Sequence, residues 1–326
     1  MAVASTASLT PAGAGRNAGR PRVQVGQATA LALAHKAPDT ASRYYPPGPG
    51  TLPGGGSQYR ACKAAPSIDP IPATKLQPLD SLPLKTDQTL FSRIFFGAID
   101  ALRNGIARAS LVGDRPIFDN AAFPWVPALE AQADAIRAEL DEVLREREKL
   151  PAFHELSPDV GTITRDSQWK TFVFMGYGMR SERNLARCPA TARAIGGIPG
   201  LRTAFFSILE PGKRIPMHRG PYNGVLRLHL ALVVPRERER CWIEVDGRRH
   251  VWEEGKAVVF DDLYPHQVHN DTDQLRAVLF IDFERPCRAP MRWINRLILA
   301  LAPLTPEIRR SKANHDMWEK GYYGAD

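Results

Sequence analysis

From Leu201 onward the sequence is a succession of short apolar segments separated by turn signals, and this pattern limits the possible folds more than any other feature. Turn signals such as Pro211-Gly212 and Asp246-Gly247 separate several of the segments. Strands are predicted at residues 203–209, 225–234, 241–245, 250–252, 256–260, 266–269 and 275–283. Many short strands of this kind favour a sandwich or a barrel. The sequence therefore predicts a mainly β fold with flanking helices (α+β).

Helical patterns occur on both sides of this β-rich region. Apolar residues recur at helical spacings in residues 89–108, and a long helix is predicted at about residues 128–149. Residues 168–177 alternate as a strand does, and residues 188–195 are predicted to form a short helix. Residues 287–306 form a further apolar and basic segment. The first and last of these segments can pack on the protein core or lie on a membrane surface, and both interpretations fit the pattern.

Composition divides the chain into four parts. Residues 1–86 are rich in Ala, Pro, Gly, Ser and Thr, and they bury too little apolar surface to offset the cost of ordering them. We therefore predict a disordered low-complexity tail there. An amphipathic helical segment at 87–114, a domain at 115–290 that joins the strands to an N-terminal helix, and a C-terminal helical extension at 291–326 are predicted to follow.

Cysteine usage and hydropathy indicate the cellular location. The chain has four cysteines, which lie far apart and favour a reducing compartment. No apolar stretch reaches the length of a transmembrane helix, and residues 1–86 contain no clear signal peptide. The expected location is the cytoplasm, with peripheral contact at the inner face of the membrane as the alternative.

The charge balance favours an anionic partner. The formal net charge is +8 and the sequence pI is about 9.5, which suits a phospholipid surface, an acidic substrate or a nucleic acid. General solubility together with a basic tail explains the charge equally well. No nucleic-acid-binding motif is recognised, and aromatic residues are not interleaved with basic ones. The sequence therefore predicts no nucleic-acid partner.

One predicted strand, at residues 225–234, carries polar residues on one face only. Leu226, Leu228 and Leu230 share one face, because side chains alternate along a strand, while Arg227 and His229 share the other. The residues that follow are apolar on both faces, so the strand is expected to be buried. Since buried charge is costly without a partner, Arg227 and His229 predict a polar pocket inside the fold.

Two further histidines suggest what the pocket binds. His218 lies in the segment Met217-His218-Arg219-Gly220-Pro221, and His266 is followed by Arg276 one strand later. Imidazole is a good ligand for iron(II), and arginine makes a two-pronged ion pair with a carboxylate. This combination suits an iron site beside a pocket for an oxo acid.

Six motifs follow one another along the chain: Ser207-Ile208-Leu209-Glu210-Pro211-Gly212, His218-Arg219-Gly220-Pro221, Leu226-Arg227-Leu228-His229-Leu230, Trp252-Glu253-Glu254-Gly255-Lys256, Phe260-Asp261-Asp262-Leu263-Tyr264-Pro265-His266 and Asp282-Phe283-Glu284-Arg285-Pro286. In this order they resemble the aspartyl/asparaginyl β-hydroxylase family of iron(II)- and 2-oxoglutarate-dependent dioxygenases. The resemblance covers roughly residues 115–290 and implies a double-stranded β-helix, which is a jelly roll, as the core.

The resemblance implies that His218 and His266 are the iron ligands. A standard non-haem iron site adds a carboxylate two residues after the first histidine, but Gly220 occupies that position here. Vertebrate members of the family also have glycine there and bind iron with two histidines. Asp262, four residues before His266, can then hold a water molecule at the metal. His269 is the nearest competitor to His266, and the family register favours His266.

The resemblance also implies how 2-oxoglutarate is held. Arg276 is expected to bind the distal carboxylate, helped by the hydroxyl of Ser207. His229 is expected to contact the 1-carboxylate, which chelates the iron together with the 2-oxo group. The predicted cofactors are therefore iron(II) and 2-oxoglutarate.

Three residues are predicted to contact the substrate. Arg227 is expected to hold an acidic group, and Trp169 lies in a segment that resembles the Trp-rich strand of the family near its substrate. Arg219 adds a positive charge at the pocket mouth that suits a phosphate-bearing or acidic substrate, although an ordinary surface arginine fits equally well.

The predicted activity is hydroxylation of an unactivated carbon with molecular oxygen, which converts 2-oxoglutarate to succinate and carbon dioxide. The first expectation for the substrate is an aspartyl or asparaginyl side chain in a protein, peptide or free amino acid. The alternative is an acyl chain of lipid A at the membrane surface. The basic amphipathic segments around residues 90–108 and 288–300 favour it, and residues 293–301 resemble the tail of bacterial lipid A hydroxylases. A further alternative is a non-enzymatic jelly-roll binding module, whose expected signature is loss of the ligands.

Overall fold

The computed structural model describes residues 90–324, with side chains described from residue 97. The prediction of a disordered tail at residues 1–86 lies outside the described residues. Two helices follow the last strand, and no helix within residues 90–324 is long and apolar enough to cross a membrane. The helices described in residues 90–324 are α1 (Leu90–Ala109), α2 (Val126–Glu130), α3 (Ala133–Leu144), α4 (Phe153–Leu156), α5 (Glu182–Arg187), α6 (Pro189–Gly196), α7 (Met291–Leu301) and α8 (Pro306–Tyr323).

The strands form two antiparallel sheets that face each other. The larger sheet has the order β1-β9-β6-β11-β4-β2-β3, and the smaller has the order β5-β10-β7-β8. This arrangement confirms the prediction of a mainly β jelly roll with flanking helices. The strands described in residues 90–324 are β1 (Ile117–Phe118), β2 (Trp169–Gly176), β3 (Met179–Arg180), β4 (Leu201–Leu209), β5 (Arg214–His218), β6 (Val225–Val233), β7 (Cys241–Val245), β8 (Arg248–Val251), β9 (Ala257–Phe260), β10 (His266–Asn270) and β11 (Arg276–Glu284).

Each face of the larger sheet has its own apolar core. Leu228 of β6 and Ile281 of β11 are partners in register, and both pack on the outer side together with Ile136 and Leu140 of α3. The opposite face points towards the smaller sheet, where Phe280 belongs to a second cluster. Because side chains alternate along a strand, this inner face also receives the polar residues of β6. The fold therefore places the predicted pocket between the two sheets.

The long helix predicted at residues 128–149 is wrong as a single element. The chain forms α2 and α3 instead, followed by a 3₁₀ turn at Arg147–Lys149. No glycine or proline marks the break between α2 and α3. At the end of α2, Glu130 accepts a hydrogen bond of 2.9 Å from the backbone N–H of Ala257 in β9. This tertiary contact holds α2 against the sheet, and it cannot be predicted from the local sequence.

Strand β5 was absent from the predicted strands. It lies at the edge of the smaller sheet, and Pro216 stands in its middle, where the pairing with β10 is irregular. Proline is tolerated at an edge or a bulge but argues against a strand when only the sequence is read. Its outward residues are also exposed, so it lacks the apolar run of the other strands. This short strand matters because it ends at His218.

Candidate active site

Strand register brings the two predicted iron ligands together. His218 of β5 and His266 of β10 are directly opposed cross-strand partners, and their ring centroids lie 4.1 Å apart. Each Nδ1 faces a backbone carbonyl two residues earlier, at 2.8 Å from Pro216 and at 3.0 Å from Tyr264 respectively. An Nδ1–H that donates to a carbonyl leaves the lone pair on Nε2, which is the form that binds a metal.

Gly220 and Asp262 fit closely against each other. A Cβ atom added at Gly220 would lie 2.1 Å from Asp262 Oδ2, so only glycine leaves room for this carboxylate. The Gly220 N–H also donates a hydrogen bond of 2.7 Å to the Asp262 carbonyl. The Asp262 carboxylate therefore occupies the space that a side chain at position 220 would need. This packing gives a physical reason for the departure from the standard iron triad.

Asp262 is buried and only half-satisfied. Its Oδ2 pairs with Arg227 at 2.9 Å, whereas its Oδ1 has no hydrogen-bond partner among the described residues. Burial raises the pKa of Asp262 to about 7, against the opposing effect of Arg227. Within residues 97–324, no three His, Cys, Asp or Glu side chains surround a common point as metal ligands. The site thus offers two imidazoles and one carboxylate oxygen that is available to a water molecule.

Arg276 is a buried cation. Its side chain is 1% exposed, and its guanidinium lies 4.4 Å from the centroid of the Trp252 ring. Its Nη1 donates to the Ser207 carbonyl at 3.3 Å, and no carboxylate in the described part of the chain pairs with it. Burial lowers the pKa of Arg276 to about 10. A buried charge of this kind is costly, so it marks a site for an anion.

His229 lies beside this cation with no hydrogen-bond partner for either ring nitrogen among the described residues. Burial lowers the pKa of His229 well below its usual value, and the positive charges of Arg276 and Arg227 lower it further. The imidazole is therefore neutral, and an anion placed nearby would receive a hydrogen bond from it. Aromatic rings surround it, with centroids 5.0 Å away at Phe260 and 5.2 Å away at Phe280.

Arg227 is largely occupied by two carboxylates. Besides Asp262, it binds Asp282 through Nε at 2.8 Å, and Asp282 is its cross-strand partner on β11. This arrangement favours positioning of Asp262 by Arg227, and substrate binding by Arg227 stays a prediction. Asp282 belongs to one of the motifs that resemble the family, but the sequence alone indicates no role for it. Its role depends on which face of β11 it occupies and on the pairing of β11 with β6, and both are known only from the fold.

Tyr177 is a second residue that the sequence did not indicate. It occupies the two-residue turn between β2 and β3 with a φ of 42°, followed by Gly178 with a φ of 91°. Positive φ at both positions is typical of a type I′ hairpin turn. Burial, together with the charge of Asp282, raises the pKa of Tyr177. The hairpin therefore holds a phenol near the Arg227–Asp282 pair.

The remaining predicted residues have different positions. Trp169 Nε1 donates to Ser207 Oγ at 3.0 Å, so the two side chains lie together beside Arg276. Arg219 is exposed next to His218 and donates to the Leu263 carbonyl at 3.2 Å. His269 stacks on Trp242 with centroids 4.2 Å apart, away from the histidine pair.

Seven of the predicted site residues line one cavity between the sheets. Its volume is about 20 Å³, which has room for about one water molecule. A diacid such as 2-oxoglutarate can enter only if lining side chains move. The predicted residues in this lining are Trp169, Ser207, His218, Arg227, His229, His266 and Arg276.

A larger, mostly apolar cavity of about 160 Å³ adjoins the first. It lies between the inner face of the larger sheet and the helices α4 and α8, and Phe280 lines both cavities. The guanidinium of Arg227 lies 4.2 Å from the centroid of the Phe280 ring, and its partner Asp282 faces the larger cavity. The polar site therefore continues into an apolar one. The other apolar side chains that line the larger cavity include Leu156, Val173, Met175, Phe205 and Ile308.

A jelly roll that encloses a histidine pair beside a buried arginine is the arrangement expected of a 2-oxoglutarate-dependent dioxygenase. The sequence model of the family described as aspartyl/asparaginyl beta-hydroxylase matches residues 130–286. An ornithine lipid ester-linked acyl 2-hydroxylase of Rhizobium tropici is 50% identical over 212 residues, which are 65% of this chain and 75% of that protein. The chain therefore belongs to the aspartyl/asparaginyl β-hydroxylase family and is a hydroxylase.

More distant relatives share a smaller part of their length. Human aspartyl/asparaginyl beta-hydroxylase is 31% identical over 140 residues, which are 41% of this chain and only 18% of that protein. A prolyl-4-hydroxylase structure from Pseudomonas putida is 23% identical, covers 47% of this chain and 88% of that one, and gives a TM-score of 0.31. The fold is defined by the order and pairing of the strands in the two sheets. The predictions of family and enzyme class are confirmed, and the alternative of a non-enzymatic module is set aside.

Proposed function

We propose that this protein hydroxylates an acyl chain of a membrane lipid, using iron(II) and 2-oxoglutarate. Membership of the family implies these cofactors. The main support for an acyl substrate is the apolar cavity that meets the polar site at Phe280. The relative of 50% identity, whose name specifies an ornithine lipid acyl chain, supports the same substrate class. The first expectation, an aspartyl or asparaginyl side chain, has weaker support from a 31% match over a short part of the human protein.

The residues present fit an iron(II) ion. His218 and His266 would bind it through Nε2, because their Nδ1 atoms face carbonyl oxygens. The buried Oδ1 of Asp262, which has no partner among the described residues, would accept a hydrogen bond from a water molecule at the ion. Arg227 holds the other oxygen of this carboxylate and so fixes its direction.

The residues present also fit 2-oxoglutarate. Arg276 would bind the distal carboxylate with two charge-assisted hydrogen bonds, which would satisfy its buried charge. The Ser207 hydroxyl accepts from Trp169, and its own proton is then directed to another acceptor, such as the same carboxylate. Neutral His229 would donate to the 1-carboxylate.

Bound iron(II) and 2-oxoglutarate supply the chemistry, in which decarboxylation to succinate and carbon dioxide is coupled to insertion of one atom of oxygen from O₂ into a C–H bond. The protein orients the reacting groups and excludes water. Phe260 and Phe280 flank His229 and make this part of the site apolar. The Arg227–Asp282 pair stands at the junction of the two cavities and would orient the substrate where it passes Phe280.

The dimensions of the larger cavity suit part of an acyl chain. A cavity of about 150 Å³ lined by apolar side chains holds a benzene-sized molecule, so a cavity of about 160 Å³ has room for about six carbon atoms of a chain. Half of the residues that line it are Leu, Val, Met, Phe or Ile, and these side chains would gain nothing from the carboxylate of an aspartyl substrate.

The test compares three substrates with the full chain, iron(II) and 2-oxoglutarate under ¹⁸O₂. The substrates are an ornithine lipid, lipid A and an aspartyl-containing peptide, and mass spectrometry locates any labelled oxygen. We expect label in an acyl fragment of a lipid, with succinate formed in equal amount. Label in the peptide alone would overturn the acyl proposal while leaving the hydroxylase class intact, whereas the two lipids distinguish the headgroups.

A further inference from the structure

Helix α7 and the turn that follows it expose an unusual amount of apolar surface. Trp293, Ile294, Leu297 and Leu301 are 41–60% exposed, and Leu304 in the turn is 59% exposed. These are five of the eight large hydrophobic side chains found exposed within residues 97–324. At 3.6 residues per turn they share one side of the helix, opposite the buried Asn295 and Leu299. A contiguous apolar face of this kind marks an interaction surface.

The same helix is bordered by positive charge. Residues 286–310 contain five arginines and one acidic residue. The guanidinium groups of Arg292 and Arg296 lie 4.7 and 5.5 Å from the centroid of the Trp293 ring. Arg296 pairs with Glu284 at 3.0 Å, whereas no carboxylate in residues 97–324 pairs with Arg288 or Arg292. Arginines beside an exposed tryptophan match the boundary between anionic headgroups and acyl chains.

The inner side of α7 is joined to the loop that follows His218. Asn295 Nδ2 donates to the Gly224 carbonyl at 2.8 Å, and the Tyr222 hydroxyl donates to Asn295 Oδ1 at 2.7 Å. A Cβ atom at Gly224 would lie 2.1 Å from Asn295 Oδ1, so the loop and the helix are in close contact. The loop after His218 therefore lies about one helix diameter, roughly 10 Å, from the exposed face of α7.

The turn after α7 is joined to the apolar cavity. A Cβ atom at Gly178 would lie 3.1 Å from Pro303 Cγ, so the hairpin that carries Tyr177 packs on this turn. Tyr177 and Met179 of the hairpin line the cavity, as does Ile308 in the first turns of α8. The apolar face of α7 thus ends, at Leu304, beside the walls of the cavity.

We infer that the exposed face of α7, with Arg288 and Arg292, docks the enzyme on an anionic lipid bilayer, so that an acyl chain reaches the cavity along the α7–α8 turn. The inference rests on the proposed lipid substrate and adds the surface from which the substrate is taken. A bilayer satisfies both features of the face, because its acyl region covers the leucines and its headgroups pair with the arginines. A second copy of this chain would bring the same positive charges, those of Arg288 and Arg292, against each other.

The experiment is flotation of the full chain with phosphatidylcholine vesicles, either alone or containing phosphatidylglycerol. Leu297→Gln/Leu301→Gln removes apolar surface and keeps good helix formers on α7. The matched control is Met317→Gln, because Met317 is 66% exposed on α8, outside the face. We expect the native protein to float with anionic vesicles, the double variant to bind at least about tenfold less, and the control to bind as the native protein does.

Charge is tested separately with Arg288→Gln/Arg292→Gln, and Arg248→Gln on β8 is the control. Each arginine near an anionic surface contributes about fivefold to binding, so the double variant should lose about 25-fold on anionic vesicles. Equal binding of native protein and variant would show that Arg288 and Arg292 are not part of the docking surface. Failure of the native protein to float would overturn the docking inference.

Hydroxylation separates this inference from the proposed function. With the lipid dispersed in detergent micelles, the α7 variants should retain native turnover, because docking is no longer required. A protein that floats but hydroxylates no lipid in either form would sink the proposed function and leave docking in place. If the leucine variant changes the sedimentation coefficient but not flotation, a second copy covers the face and the docking inference is wrong.

Discussion

The inside of the sandwich around His218 and the outer face of α7 depart from the usual distribution of residues in opposite ways. The interior holds Arg276, His229 and Asp262, which are polar and buried, and each has at least one side-chain nitrogen or oxygen without a hydrogen-bond partner among the described residues. The face of α7 exposes leucines and a tryptophan to solvent. Both arrangements cost stability, since burial normally favours apolar groups and exposure favours polar ones. We therefore expect each region to bind a ligand: an anion inside the sandwich and a lipid surface on the face of α7.

Loss of the histidine pair should have the largest effect. His218→Ala or His266→Ala should reduce 2-oxoglutarate-dependent succinate formation to the level without protein, because a single imidazole would remain to hold iron(II). Alanine leaves no unpaired charge, so the circular dichroism spectrum and a cooperative melting transition should persist. His269→Ala is the matched control, because His269 stacks on Trp242 outside the cavity. Native turnover in either ligand variant would show that the iron assignment is wrong.

The contact between Gly220 and Asp262 should give the next largest effect. Gly220→Asp restores the residue type of the standard triad, yet its Cβ would lie 2.1 Å from Asp262 Oδ2. We expect Asp262 to be displaced and turnover to fall about 100-fold, as for loss of a group that orients a metal site. Gly161→Ala is the control, because a Cβ there meets nothing within 4 Å. Higher turnover in Gly220→Asp would mean that position 220 can accept a ligand without disturbing Asp262.

Arg276 should separate function from stability. Arg276→Met removes a buried charge that has no carboxylate partner among the described residues, so the melting temperature should rise by a few degrees. The KM for 2-oxoglutarate should increase about 30-fold, because charge-assisted hydrogen bonds to its distal carboxylate are lost. A higher melting temperature together with a higher KM would show that Arg276 destabilises the fold while it contributes to binding of an anion. An unchanged KM would remove Arg276 from the cosubstrate pocket, whatever happened to the melting temperature.

Local patterns in the sequence were sufficient for some parts of the interior and insufficient for others. Alternation in β6 placed Arg227 and His229 on one buried face, because period-2 patterns survive in a central strand. Strand β5 was not predicted, because it contains Pro216 and several exposed residues and so lacks the apolar pattern that indicates a strand. The pairing of Arg227 with Asp282 joins residues from two strands, and no local pattern records such a contact. The resemblance to the family implied roles for single residues. The residues that hold them in place, such as Asp282 beside Arg227, could be identified only from the fold.

The outer face shows the same division. The sequence indicated an amphipathic segment at residues 287–306 but left packing and membrane contact equally open. The structure shows which side of the segment packs on the protein, because Asn295 and Leu299 are buried while the leucines on the other side are exposed. It also shows that the chain continues as α8, whose side chains close the apolar cavity. The cavity, built from β2, β4, β11, α4 and α8, is a tertiary feature without a sequence signature.

The apolar cavity lies between the interior site and the face of α7, and filling it should give the smallest of the predicted effects on activity. Ser311→Trp places a large side chain from α8 into the cavity. Turnover of a long-chain lipid should fall about tenfold relative to a short-chain analogue, while the KM for 2-oxoglutarate and vesicle binding stay native. Ala313→Trp, on the exposed side of the same helix, is the control for the added indole. Equal losses with long and short chains would mean that the acyl chain lies elsewhere, and the interior site and the face of α7 would then have no shared path.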